Sequence, residues 1–306
     1  GGAGALFGSK NLKAIVCRGT GGVQVNEIGS FYEKVVEHTY GNLLTDDNMW
    51  AKTHGTPLLV DVTNEMGIHP TKNFTKGVNA GRQNLNADAI DDVKIGDRSC
   101  ASCPMGCGKF TSVNGTQIEG PEYETLCLGG SNCEINDLET VMKFNRLCDD
   151  YGLDTMSTGN IIGLAMDITE SELHYGIKFG DTKEFLVLIE EIATQSSERG
   201  KDLALGAQKL AAKHNAEDKA AHSKNLEMPA YDPRGNYGMA LGFATSERGA
   251  CHLRSFTLFE EEPFKVKEMS RAVMDNQNLN AVKFSMGLCD FWGTVDTSIM
   301  ADFLTK

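Results

Sequence analysis

The sequence predicts a mainly α-helical protein with a short β segment near its start. Apolar residues recur every three to four positions in several long segments, residues that cap helices precede some of them, and one short apolar run early in the chain is closed by a turn. At 306 residues, 41% of them hydrophobic, the chain is long enough for two domains, or one large one, with a substantial buried core.

The elements follow in chain order. The apolar run NLKAIVCRG (11–19) predicts a strand that the turn GTGG closes, and the apolar spacing after Glu27 predicts a helix. Residues 64–118 are rich in Asn, Gly and Asp, which favours loops. A helix capped by Asn136 or Asp137 is expected to reach about Cys148. Two amphipathic helices follow, over 182–200, ended by Gly200, and over 201–215, and residues 264–287 are again mainly helical.

The charge and the cysteines restrict the class of protein. A net charge of −13 argues against binding to nucleic acids or anionic membranes, and no apolar run approaches the roughly 20 residues that span a bilayer. Nine cysteines without a secretion signal are typical of a large cytoplasmic enzyme with reduced thiols. The chain begins GGAGALFGSK, without an initiator Met, so we expect it to be a piece of a longer protein.

Three of the cysteines form a tight group in the stretch DRSCASCPMGCGKF (97–110), at Cys100, Cys103 and Cys107. A structural zinc site normally has a second Cys or His pair downstream, which is missing here. A [4Fe–4S] cluster takes four thiolates, the fourth of which can be distant in sequence. The spacing therefore favours a cluster over zinc, and both over a chance grouping of thiols. The candidates for the fourth ligand are Cys127, Cys133, Cys148, Cys251 and Cys289.

Six motifs in order resemble the tungsten-containing aldehyde ferredoxin oxidoreductase family, and the likeness extends over essentially the whole chain. They are GSKNLKAI (8–15), CASCPMGC (100–107), GPEYET (120–125), CDDYGLDTMSTG (148–159), ATSERGACHLR (244–254) and GLCDFW (287–292). The resemblance implies the helical domains of that family with a short β remnant at the N-terminus. It implies a tail of the pterin-binding β domain over 1–23, helical domain 2 over 24–228, and an incomplete helical domain 3 over 229–306. The polar segment 217–238, with its Pro/Gly-rich end, suits the second boundary.

The resemblance also implies the cofactors. It assigns the fourth cluster ligand to Cys289 of the G-L-C motif, between the cluster and a tungsten or molybdenum ion held by two pterins. The remaining cysteines, at 17, 127, 133, 148 and 251, are then expected to be small buried hydrophobes. Because much of the pterin-binding surface of the family lies in its first domain, we expect this chain alone to hold the pterin cofactor poorly.

The pterin contacts transfer by position in the motifs. The D-x-x-G-L-D motif falls on Asp149, Gly152, Leu153 and Asp154, whose carboxylates suit the N–H donors of a pterin. Without the resemblance, the same letters would indicate only a helix end followed by a glycine turn. Three further groups of residues are implied as pterin contacts. The two arginines of the fifth motif suit pterin phosphates, and the first glycines of the chain resemble the end of a phosphate-binding turn. The third group is the leucine of the G-L-C motif. These residues are Arg248, Arg254, Gly1, Gly2, Gly4 and Leu288.

Two positions depart from the family pattern. Phe284 stands where the second pterin motif commonly has Asp, so Ser285 or Asp290 is the candidate replacement. Some members bind a metal between subunits through an E-x-x-H pair, but Lys143 and Arg146 stand in about that place. We therefore expect any homodimer to lack a bridging iron.

The resemblance assigns the acid–base chemistry to Glu124 and His252, with Glu122 as the competing carboxylate. Glu124 has a structural alternative as the cap of a helix starting near Tyr123. The implied function is oxidation of an aldehyde to a carboxylic acid, with electrons passed through the cluster to ferredoxin. The alternatives are a catalytic subunit related to class II benzoyl-CoA reductase, which Asp154 disfavours because those relatives place a Cys near the tungsten, and an iron–sulfur electron carrier without pterin.

Overall fold

The computed structural model describes residues 3–172, 175–291 and 297–305, which form a mainly α-helical protein with two small sheets. The mainly α class predicted from the sequence is confirmed. The chain divides into two compact units, one of residues 1–45 with 292–306 and one of residues 46–291. These limits are not those of the division at residues 23 and 228, which stays a prediction. None of the described helices is long and apolar enough to cross a bilayer.

The α-helices of the described residues, in chain order, are α1 (Ala3–Ser9), α2 (Ile28–His38), α3 (Met49–Thr53), α4 (Leu59–Glu65), α5 (Ala87–Val93), α6 (Tyr123–Thr125), α7 (Leu138–Tyr151), α8 (Thr155–Glu172), α9 (Thr182–Thr194), α10 (Glu198–Leu203), α11 (Ala207–Lys213), α12 (Tyr237–Thr245), α13 (Val266–Ser285) and α14 (Thr297–Thr305). The strands are β1 (Lys94–Arg98), β2 (Gly108–Val113), β3 (Thr116–Glu119), β4 (His222–Ser223) and β5 (Leu226–Glu227). Strands β1, β2 and β3 form an antiparallel sheet in that order, and β4 pairs with β5.

The strand predicted over 11–19 is wrong. Residues 12–20 have no regular secondary structure, and Ile15 and Val16 are 69% and 90% exposed. A strand needs a hydrogen-bonded neighbour, and no described segment pairs with this one. Cys17 lies in the same segment and is exposed, so its predicted burial is wrong too, whereas Cys127, Cys133, Cys148 and Cys251 are buried as expected.

The core of the larger unit is built around α7, α8 and α9. Helix α7 begins as predicted, because the side chain of Asp137 accepts a hydrogen bond from the backbone N–H of Thr140. Its inner face packs on α9 through Phe144 and Phe185, whose ring centroids are 5.2 Å apart. The helix ends at Tyr151 with Gly152 in the left-handed conformation, φ 70°, three residues beyond the predicted end.

The predicted end of α9 at Gly200 is wrong. The helix ends at Thr194, where Gln195 adopts the left-handed conformation with φ 52°. The chain then turns, and Ser197 caps the next helix by accepting a hydrogen bond from the backbone N–H of Gly200. Gly200 therefore lies inside α10 and does not end the preceding helix, as the sequence had predicted it would.

The segment 64–118, predicted to be mostly loops, contains α5, strands β1 and β2 and part of β3. The strands are four to six residues long, too short for a clear alternating pattern in the sequence. Strands β1 and β2 hold the two ends of the cysteine loop together. Arg98 pairs with Gly108, and residues 99–107 form the loop between them.

Candidate active site and cysteine cluster

The cysteine triplet lies on the loop between β1 and β2. Cys100 is exposed, Cys103 and Cys107 are half-buried, and all three thiols are free. The backbone N–H of Cys103 donates to the carbonyl oxygen of Cys100 at 3.1 Å, which folds the first part of the loop into a turn. The three side chains are therefore held close together on a short segment anchored by paired strands.

Cys289 comes to this loop from the far end of the sequence. It follows α13 and the turn at Gly287, and its thiol is free. Burial raises the pKa of Cys107, and the nearby charges of Cys289 and Cys103 raise it further. Burial also raises the pKa of Cys289, with smaller contributions from Cys103 and Cys100. All three loop cysteines thus lie within electrostatic range of Cys289.

Helix α3 contacts both cysteine segments. The ring of Trp50 lies edge-on to that of Phe291, two residues after Cys289, with centroids 6.0 Å apart. The carbonyl oxygen of Lys52 accepts a hydrogen bond at 2.8 Å from Nζ of Lys109, two residues after Cys107. One short helix therefore fixes the two segments relative to each other.

The four thiols have the chemistry of a cluster site. Among the described residues, no three His, Cys, Asp or Glu side chains converge closely enough to hold a single metal ion. In a [4Fe–4S] cluster each thiolate binds a different iron, so the four sulfurs need not meet at one point. Four free, accessible or half-buried thiols from two segments fit this requirement.

Glu124 and His252 lie together in the interior of the larger unit. Oε1 of Glu124 is 3.6 Å from Nε2 of His252, and the two side chains are 18% and 17% exposed. The other carboxylate oxygen, Oε2, accepts a hydrogen bond at 2.7 Å from the backbone N–H of Ala230. No side chain caps helix α6, and Glu124 instead accepts a hydrogen bond from a residue distant in sequence, so the predicted cap is not formed.

Burial gives both groups unusual pKa values. It raises the pKa of Glu124 to about 8, an effect that the Ala230 N–H opposes and the charge of Asp154 strengthens. Burial, with a smaller contribution from Arg248, lowers the pKa of His252 to about 4. Near neutral pH the pair is therefore a largely protonated carboxylic acid beside an uncharged imidazole. A carboxyl group whose pKa lies this close to neutrality is suited to proton transfer.

Tyr231 is a third member of the site, and the sequence analysis missed it. Its ring lies 5.4 Å from that of His252 and 5.3 Å from that of Tyr123, and the residue is 3% exposed. Burial raises the pKa of its hydroxyl, and the nearby charges of Glu124 and Asp290 raise it further. The polar segment PAYDPRG indicated a domain boundary, so no signal in the sequence marked this tyrosine.

Glu122 has different neighbours from Glu124. It accepts a hydrogen bond from the hydroxyl of Thr56, and its charge contributes to the raised pKa of Cys107. The Thr56 hydroxyl also accepts a hydrogen bond from the backbone N–H of Tyr123 at 3.0 Å. Glu122 thus belongs to the surroundings of the cysteine loop, whereas Glu124 belongs to the buried pair.

The D-x-x-G-L-D residues form the end of α7 and the turn that follows it. Asp149, Gly152 and Asp154 are exposed, and Leu153 is half-buried. Leu153 and Asp154 line a cavity of ≈ 430 Å³ whose other walls include residues of α8, α9 and α10. Because Asp154 also acts on the pKa of Glu124, the motif adjoins the buried pair. An exposed carboxylate beside a cavity, that of Asp154, fits the N–H donors of a pterin.

The remaining predicted pterin residues lie in different settings. Arg248 is exposed and within electrostatic range of His252, and Leu288 is half-buried beside Cys289. The guanidinium of Arg254 pairs with Glu247 at 3.0 Å and lies 5.6 Å from the ring centre of Phe284. Gly1 and Gly2 are outside the described residues. Gly4 lies in the first turn of α1 and not in a glycine turn, and its contact with a pterin phosphate stays a prediction.

Both residues proposed to replace the missing Asp at Phe284 already have polar partners within the protein. The Ser285 hydroxyl donates to the carbonyl oxygen of Ala281 at 2.7 Å, and Asp290 binds the buried ammonium of Lys283, with Oδ1 at 3.3 Å from Nζ. Of the two, only Asp290 acts on the site, through the pKa of Tyr231.

The chain is similar to known proteins in sequence and in fold. A tungsten-containing aldehyde ferredoxin oxidoreductase of Pyrococcus horikoshii is 36% identical over 314 residues, covering 95% of this chain and 51% of the relative, and one of Pyrococcus abyssi is 35% identical with the same coverage. The chain therefore spans about half the length of the curated relatives it matches. The fold is similar to that of the active-site complex BamBC of benzoyl coenzyme A reductase in complex with 1,5-dienoyl-CoA, with a TM-score of 0.65, 20% identity and coverage of 92% of this chain and 47% of that chain.

Residues 34–306 match the family described as aldehyde ferredoxin oxidoreductase, domains 2 and 3. With the identity to its curated members, this match shows that the chain belongs to the aldehyde ferredoxin oxidoreductase family.

Proposed function

We propose that this chain carries the cluster-binding and acid–base half of an enzyme that oxidises an aldehyde to a carboxylic acid. The observation that carries the proposal is the buried Glu124–His252 pair, 3.6 Å apart, with Tyr231 packed against it. Cys100, Cys103, Cys107 and Cys289 would hold a [4Fe–4S] cluster, and Asp149, Asp154, Arg248 and Arg254 would contact the pterins. A bound tungsten or molybdenum pterin centre would supply the two-electron acceptor.

The protein side chains account for proton movement in the reaction. An aldehyde and a water molecule give a carboxylic acid, two protons and two electrons. Once ionised, Glu124 can take a proton from the water that adds to the carbonyl carbon, since its pKa of about 8 makes it a stronger base than an exposed carboxylate. Uncharged His252 can donate a hydrogen bond to the carbonyl oxygen, on which negative charge develops during addition.

The position of the cysteines supports electron transfer away from the site. Asp290, the neighbour of Cys289, acts on the pKa of Tyr231, so the segment that carries the fourth thiol adjoins the proposed substrate position. Electrons would pass singly through the cluster to ferredoxin or a similar acceptor. The free thiols are compatible with a reducing cytoplasm, which we propose as the location of the enzyme.

The experiment is to purify the full-length protein without oxygen, measure its metals and assay aldehyde-dependent reduction of ferredoxin. The proposal predicts tungsten or molybdenum together with iron, and acid formation coupled to ferredoxin reduction. Iron without tungsten or molybdenum would favour the electron carrier, and zinc alone would exclude both readings. Activity with benzoyl-CoA in place of aldehydes would favour the benzoyl-CoA reductase alternative.

A further inference from the structure

Lys109 is a buried lysine at the base of the cysteine loop. Its side chain is 2% exposed, although a charged ammonium is rarely buried unless all its donors are satisfied. Nζ donates to the carbonyl oxygens of Lys52 at 2.8 Å and Gly106 at 2.9 Å, and lies 3.1 Å from Oδ1 of Asp97. Its three N–H groups thus have three oxygen partners in three chain segments.

These partners place the ammonium where it controls the loop. The carbonyl of Gly106 belongs to the peptide bond that joins it to Cys107, so the hydrogen bond fixes the orientation of that bond. Gly106 itself has a left-handed φ of 63°, which glycine adopts readily, so the loop can turn here and present its carbonyl oxygen to Lys109. The contact to Lys52 ties the same point to helix α3, which also packs against the Cys289 segment through Trp50.

A positive charge hydrogen-bonded to the backbone of the cysteine loop has an electrostatic consequence as well. Net charge and hydrogen bonding around an iron–sulfur cluster set its reduction potential, because each added electron is stabilised by nearby cations. Asp97 compensates part of this charge from the exposed side, where it is 54% exposed. The interior position of Lys109 limits screening by solvent.

We propose that Lys109 is a positioning residue for the iron–sulfur cluster, holding the Cys107 end of the loop in its ligating shape and raising the reduction potential of the cluster. This inference rests on the proposed function, since it requires a cluster at the four cysteines. It assigns a role to a residue that lies outside the ligand set and outside the acid–base pair.

The test compares Lys109→Met and Asp97→Asn with the wild type in the full-length protein. Lys76→Met is the control, because Lys76 is an exposed lysine with a single carboxylate partner, Glu134 at 2.9 Å. The readouts are iron and sulfide content, the rate of iron loss to a chelator, and the midpoint potential from a titration followed by electron paramagnetic resonance. Lys109→Met should lose iron about tenfold faster, as expected when hydrogen bonds from a charged group are removed.

The direction in which the midpoint potential of the cluster changes tests the electrostatic part of the proposal. Lys109→Met should lower the midpoint potential of the cluster that remains, and Asp97→Asn should raise it, because the first removes a positive charge and the second a negative one. A merely structural role would leave the midpoint potential of Lys109→Met unchanged. If Lys109→Met does not fold, Lys109→Gln decides, since it removes the charge and keeps hydrogen-bond donors towards the carbonyl oxygens of Lys52 and Gly106.

The experiment distinguishes failure of the proposed function from failure of the role proposed for Lys109. A wild-type protein without a cluster signal would contradict the proposed function itself. A wild-type protein with a cluster, whose potential and iron retention are the same in both variants as in Lys76→Met, would overturn the role of Lys109 and leave the proposed function intact.

Discussion

Oε1 of Glu124 lies 3.6 Å from Nε2 of His252 and has no hydrogen-bond partner within the described part of the chain. A buried carboxyl oxygen without a partner costs free energy, so its retention indicates a use outside the folded scaffold. The oxygen lies near Nε2 of His252, a nitrogen that could also polarise a substrate carbonyl.

Glu124→Gln should retain metals and fold but lose about 10² to 10⁴ in kcat, the usual contribution of a general base. In the wild type, kcat/KM should rise with pH through an apparent pKa near 8, because the base is active only when ionised. This limb should disappear in the variant. Glu122→Gln is the matched control and should retain most activity; the reverse ranking of the two variants would assign the base to Glu122.

The same substitution should change how stability depends on pH. The pKa of Glu124 is about 8 in the folded protein, against 4.5 for an unperturbed glutamate. Between pH 4.5 and pH 8 the folded protein therefore holds a proton that the unfolded chain has lost. Stability of the wild type therefore falls as the pH rises from about 4.5 to 8, by about 1.4 kcal/mol for each pKa unit of difference.

Glu124→Gln has no such proton. Its Tm relative to the wild type should increase between pH 5 and pH 8, as measured by calorimetry on the full-length protein. The contribution of His252, which has the opposite slope between about 4 and 6.5, is present in both proteins and cancels. Parallel curves of Tm against pH would show that the carboxyl group is not buried as described.

Tyr231→Phe should reduce kcat roughly tenfold, the equivalent of one hydrogen bond of about 1.4 kcal/mol to the reacting groups. Its Tm should hardly change, because the ring that packs on Tyr123 and His252 is kept. Tyr237→Phe is the control, since Tyr237 is 46% exposed and its ring packs on Phe264. Equal steady-state rates in both variants would remove Tyr231 from the site.

Gly55→Ala should lower the iron content of the protein. A Cβ atom at Gly55 would overlap the carbonyl oxygen of Cys107, so the cysteine loop would have to move. Gly67→Ala is a matched control, because Gly67 has a similar φ, 73° against 70°, but open space around it.

Both substitutions should cost at least about 1 kcal/mol for the positive φ, and more at Gly55, whose ψ of −163° suits glycine alone, but only the first should release iron. Iron analysis and calorimetry on the same samples separate the two effects. Equal iron in the two variants would mean that the segment around Gly55 does not shape the loop.

The sequence predicted the helices and the motif residues better than it predicted their surroundings. Helix α7 was predictable because Asp137, its apolar spacing and Gly152 are local signals. The strand at 11–19 failed because strand formation depends on a partner, and Gly200 failed as a helix end because Gln195 takes the left-handed conformation earlier in the chain. Position in a motif identified Glu124 and His252, and the structure places them side by side.

What the sequence could not predict are the long-range contacts. Ala230 donates a hydrogen bond to Glu124 and Tyr231 packs on His252, although the first pair is far apart in the chain. The burial of Lys109 likewise depends on its hydrogen bond to the distant Lys52. Ala230 and Tyr231 lie outside the six motifs, and nothing beside Lys109 in the cysteine stretch indicates that its side chain is buried. Their roles follow only from the geometry that brings the segments together.

The central claim is that Cys289 completes a four-thiolate cluster site with the triplet beside the Glu124–His252 pair. Its most direct test is the iron and sulfide content of the full-length Cys289→Ser variant, with Cys148→Ser as the control because Cys148 is buried in α7. The account predicts that Cys289→Ser loses most of its cluster iron and its aldehyde-dependent reduction of ferredoxin, whereas Cys148→Ser keeps both and loses only some stability. Equal iron content and equal activity in the two variants would contradict it and place the fourth ligand elsewhere.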